Sequence, residues 1–316
     1  FDIVVKNDLL RYSSVLRSVG TWTGLLGEEE GKLDRINKKQ IAMISSYIQN
    51  EDARKKALQS EDSMQIYLAL WSYGIFDINE ACVVLEQLAL NGTKHQRMAS
   101  CYYLKNMRLN STYVHGVAKE IVRKYKHEQD TMAVVMDSFM DECNRYMNRI
   151  SGWEELREND FLIENNTRVY ADVNEYFVDE RECQEFYDIL MDIFSQLSKK
   201  QMVFEPCIFP WNKESLNRSA LIYRMAICAS ALKDENKITE IAKLLPDIDV
   251  TNYSRSTVML FLLSTPQNEK QRELLVGCVG DKETYTSNIT SKIIENMKLN
   301  KKEYLQLETM LKYKNA

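Results

Sequence analysis

The stretch "DINEACVVLEQLALNGTKHQRMASCYYLKNMRLN", residues 77–110, holds two helices and the turn between them. Asp77 is a helix-capping residue, and Ile78, Ala81, Cys82, Leu85, Leu88 and Ala89 recur at three- and four-residue spacing, on one helical stripe. Asn91 and Gly92 predict a left-handed stop, and Thr93 opens the next helix at once. A connection this short allows only antiparallel packing, so the stretch is a helical hairpin. A lone hairpin leaves its apolar flank in water and must stack on a neighbour.

Working outward, capping residues recur at Ser60, Asp77, Thr93, Ser111 and Asp130, then at Ser215, Asp234, Thr251, Thr265 and Asn300. In "TPQNEKQRELLVGCVGD" (265–281) Thr265 is the expected cap and Pro266 the first helical residue. Asp77 and Ser111 are 34 residues apart, Thr265 and Asn300 35, the interval of a two-helix repeat. "SALIYRMAICASAL" (219–232) carries one charge, Arg224, and predicts a helix buried on most sides. A further helix starts at about Asp179 with Phe186, Leu190, Ile193 and Leu197 as its stripe. "WSYGIFD" from Trp71 fails the tetratricopeptide pattern at the Leu-Gly pair, which leaves the HEAT/armadillo-like class. The expected fold is an all-α, right-handed superhelix of antiparallel helix pairs. Residues 1–150 form N-terminal repeats, 151–214 an atypical connector with one long helix, and 215–316 C-terminal repeats.

Composition agrees with that pattern. Among 316 residues there are only 10 Gly and 4 Pro, and no apolar run approaches the roughly 18 to 20 residues that cross a bilayer. The formal charge of −5 supplies no global attraction for nucleic acid. Seven cysteines stand singly, at Cys82, Cys101, Cys143, Cys183, Cys207, Cys228 and Cys278, as reduced core thiols of a cytoplasmic protein do. "FDIVVKNDLL" has neither an initiator Met nor a signal pattern, and a piece of a longer protein is expected.

Catalytic and metal motifs are weak. In "GLLGEEEGKLD" Gly27 and Gly31 enclose three glutamates and Lys32 precedes Leu33, so carboxylates stand where a phosphate loop needs free N–H groups. His95, His115 and His127 form no metal-ligand pair at helical spacing, and His95 with Cys101 is the one distant combination worth tracing. Asp137 and Asp141 share a helical face, with Glu142 adjacent and Arg145 four residues after Asp141, the pattern of a solvated ion-pair face. We expect no catalytic, cofactor or metal site.

Two features point to partners. "FEPCIFPW" (204–211) concentrates Phe204, Phe209 and Trp211 around two prolines, Pro206 and Pro210, that bar helix. It is either an irregular connection folded over the apolar edge of the stack or a rigid aromatic anchor for a protein or peptide, with Trp22 in "VGTWTGLLG" a weaker second anchor. "KEIVRKYKHE" (119–128) gathers Lys119, Arg123, Lys124 and Lys126 near a helix C-terminus, either to complement the dipole or to contact nucleic-acid phosphates.

The segment "QRELLVGCVGDKETYTSNITSKIIENMKLNKKEYLQLETMLKYKN" (271–315) resembles the helical-repeat region of large bacterial proteins related to the molybdate metabolism regulator, through Leu299, Glu303, Tyr304, Leu307, Glu308, Leu311 and Lys312. The resemblance implies a HEAT-like helix pair within a multi-domain protein and no particular activity. Together these readings predict a non-catalytic scaffold segment that offers a concave helical face to a protein or peptide, beside the rest of its own longer chain. Binding to nucleic acid is the alternative.

Overall fold

The computed structural model describes residues 38–106, 111–140, 170–197, 202–204, 214–249 and 254–314. The chain forms two compact units, Phe1–Asp141 with Gln201–Leu216, and Glu142–Lys200 with Asn217–Ala316. Both are helical, with one two-stranded ladder in the first.

In the first unit the helices are α1 (Lys38–Gln49), α2 (Glu51–Ala57), α3 (Ser63–Phe76), α4 (Ile78–Asn91), α5 (Lys94–Asn106), α6 (Ser111–Tyr125) and α7 (Gln129–Val135). Asp77 caps α4, accepting from the N–H groups of Asn79 (2.8 Å) and Glu80 (3.3 Å). Thr93 and Gln96 form a reciprocal capping box at the start of α5. Helix α3 starts from Asp62 rather than Ser60, whose hydroxyl accepts from the Asp62 N–H. Helix α7 starts from Glu128 rather than Asp130. Gly92 is not left-handed: at φ −79°, ψ 178° it is extended. It is required by space, since a Cβ there would meet the Leu88 carbonyl oxygen at 2.5 Å and Gln96 Oε1 at 2.6 Å.

Helix α3 packs against α1, α2, α4 and α5; α5 packs against α4 and α7; α6 packs against α4 and α7. Most of these helices therefore meet the next but one along the chain, as α1 meets α3, α3 meets α5, α4 meets α6 and α5 meets α7. Helices α3, α5 and α7 are buried almost all round, with Ile66–Tyr73, Gln96–Leu104 and Thr131–Met136 forming continuous buried runs. Strands β1 (Met202–Phe204) and β2 (Glu214–Leu216) pair antiparallel, Phe204 opposite Glu214, and β2 lies against α7. The expected helix start at Ser215 is thus a strand residue.

The second unit holds α8 (Glu180–Gln196), α9 (Arg218–Ala231), α10 (Glu235–Ala242), α11 (Ser254–Leu263), α12 (Glu269–Gly277), α13 (Thr284–Glu295) and α14 (Lys301–Lys314). Asp179 caps α8, and Phe186, Leu190, Ile193 and Leu197 are all buried. Asn217 caps α9 and Asp234 caps α10. Asn268, not Thr265, caps α12; Thr265 is itself buried upstream of the helix. Asn300 and Glu303 make a second reciprocal box at α14. Thr251 lies outside the described residues.

Again α9 meets α10 and α11, α10 meets α11 and α12, α11 meets α12 and α13, and α12 meets α13 and α14. Helix α9 also packs on α8, so Leu221–Ala231 are buried without a break. The turn from α9 to α10 is a Schellman motif, with the Asp234 N–H on the Ala229 carbonyl and the Lys233 N–H on that of Ser230. Its left-handed residue is Lys233, at φ 53°.

Candidate interaction surface

Of the aromatic anchor residues, Phe204 ends β1, whereas Phe209, Trp211 and Trp22 lie outside the described residues. The four cations sit together near the end of α6. Arg123 donates to Glu120 at 2.5 Å. The Lys124 ammonium donates to the Leu90 carbonyl at 2.5 Å and to Asn91 Oδ1 at 3.2 Å, and the Tyr125 hydroxyl reaches the same carbonyl at 2.7 Å. Lys124 thus satisfies the open carbonyl end of α4, where a helix concentrates negative potential. Lys119 and Lys126 are half-buried beside it.

The remaining polar candidates are dispersed. Asp137 pairs with Lys105 at 2.5 Å, and Asp141, Glu142 and Arg145 lie outside the described residues, as do Gly27, Gly31 and Lys32. His95 is exposed with Nδ1 3.3 Å from the Ser63 hydroxyl, while Cys101 is fully buried. The His115 ring stacks on Phe139 at 5.4 Å. Among the described residues no group of three or more His, Cys, Asp and Glu is placed to hold a metal ion. Burial, with Asp281 adding to it, pushes the Cys278 thiol up to about 12, so the thiolate that nucleophilic chemistry requires is suppressed there.

What the structure does bring together is a set of arginine clamps. In "TKHQR" (93–97) and "NEKQR" (268–272) a capping residue is followed at the third place by Gln and at the fourth by Arg. Gln96 donates to the Leu58 carbonyl at 2.8 Å, and Gln271 to Glu235 Oε2 at 2.8 Å and Thr239 Oγ1 at 3.1 Å, each tying its helix to the preceding part of the stack. Arg97 grips Glu128 through Nε (3.0 Å) and Nη2 (2.8 Å), its guanidinium 3.8 Å over the Tyr125 ring. Arg272 grips Glu303 in the same bidentate way, at 2.7 and 2.9 Å. In both cases the carboxylate lies 31 residues further along the chain, at the start of the helix after next.

A second series runs through the other unit-two helices. Arg218 donates to the Leu197 carbonyl (2.9 Å) and Asp247 (2.7 Å); Arg255 donates to the Ile248 carbonyl (2.6 Å) and Asp281 (2.5 Å). Asp247 and Asp281 are 34 residues apart, as are the caps Asp234 and Asn268. The Arg272 hydrogen bond holds the Glu303 carboxyl below its ordinary value and Glu303 in turn raises Arg272, a mutual stabilisation of the charged forms. The Gln-Arg dipeptide after a cap, with Glu 31 residues on, was available in the sequence as a signal for these clamps.

The sequence profile of a family of unknown function, DUF5724, matches residues 1–316. The chain belongs to that family. No curated protein and no solved structure matches it. The DUF5724 match spans both units, so both series of clamps fall within it.

The exposed large apolar side chains of this DUF5724 chain are few among the described residues. They are Ile78, Val83, Val178, Tyr285, Tyr304, Leu305 and Leu311, and the last three share α14. Ile78, expected on the buried stripe of α4, is 43% exposed and Cys82 is half-buried, whereas Ala81, Leu85, Leu88 and Ala89 are buried. No described helix is long and apolar enough to cross a membrane.

Proposed function

We propose that the chain is a non-catalytic interaction segment in which each unit stacks HEAT-like helix pairs and offers its even-numbered helices to a protein or peptide. The observation that carries this is the recurrent packing of a helix on the next but one along the chain, tied by clamps of one design at a repeat-like interval. Arg97, Arg218, Arg255 and Arg272 act as ties between elements. Helices α3, α5, α7, α9 and α11, buried on nearly every residue, have little free face to present. That burial moves the presenting surface from the inner helices to α4, α6, α10, α12 and α14, which keep one polar side. The resemblance of residues 271–315 to the repeat region of bacterial proteins related to the molybdate metabolism regulator supports the same architecture. The free thiols Cys82, Cys183 and Cys278 fit a reducing, cytoplasmic compartment.

The rival, nucleic-acid binding through Lys119, Arg123, Lys124 and Lys126, draws less support. Lys124 is engaged by the α4 carbonyl end and Arg123 by Glu120. A photo-reactive residue introduced at Val83 or Leu305, both exposed, tests the proposal in cells. A discrete, nuclease-resistant protein adduct at either position is expected. Adducts made of nucleic acid, or none from a folded and expressed protein, overturn it.

A further inference from the structure

We draw no further inference here: the strongest candidate, the exposed face of α14 that carries Tyr304, Leu305 and Leu311, is broken by the exposed carboxylate of Glu308 paired with Lys312, and nothing in the structure shows what covers it.

Discussion

Glu303 joins three roles in one carboxylate: it closes the capping box of α14, receives Arg272 in a bidentate grip, and is 4% exposed. Its folded-state pKa lies below the usual 4.5. The stability it contributes is therefore fully present above the unfolded-state value and is lost as pH falls through the lower folded-state value. Glu303→Gln is expected to lower unfolding free energy at pH 7 by about 2 kcal/mol, since the bidentate ion pair with Arg272 becomes a hydrogen bond from a cation to a neutral amide. It is also expected to flatten the decline of stability with acid below about pH 4.5. Urea unfolding across pH measures both, and an undiminished acid slope would show that Glu303 is not held as described. Two glycines separate space from conformation. Gly92→Ala is expected to cost about 1 to 3 kcal/mol, because its Cβ would press on a backbone carbonyl oxygen. Gly116, inside α6, has nothing within 4 Å of the corresponding point. Gly116→Ala is therefore expected to stabilise by about 0.5 to 1 kcal/mol, and thermal melts of the pair check the contrast.

Among the elements, α4 shows how much of an amphipathic helix its periodicity reveals. The stripe of Ala81, Leu85, Leu88 and Ala89 is buried, while Ile78, one turn earlier on that stripe, is 43% exposed. Leu85→Ala is expected to cost about 3 kcal/mol and Ile78→Ala less than about 1 kcal/mol, read as shifts in urea midpoint at constant slope. Equal costs would mean that α4 does not pack as described. Helix starts were legible at Asp77, Thr93, Asp234 and Asn300, each accepting from its own first turn. They were misplaced at Ser60, Asp130, Ser215 and Thr265, each near another competent acceptor. Composition cannot decide between neighbouring Ser, Thr, Asn and Asp residues; the backbone path can.

Over the whole molecule, contacts in both units run mainly to the next helix or the one after it. Amide exchange should follow that pattern. The slowest amides are expected in α3 and α9, which have neighbours on several sides, and the fastest helical ones in α14, which is seated on one side. Mass-spectrometric hydrogen exchange checks the order, and slow exchange throughout α14 would overturn its one-sided attachment. By itself the sequence determined what is local: the helical class, several caps and the all-round burial of residues 219–232 around a single Arg224. These follow from side-chain spacing and from bonds within one turn. Only the tertiary structure decided which carboxylate each arginine grips, that residues 214–216 form a strand, and that α14 turns Tyr304 and Leu311 outward. Those outcomes depend on groups tens of residues apart along the chain. A pattern confined to one helix records which side chains share a face, but the neighbour that covers that face is set by packing.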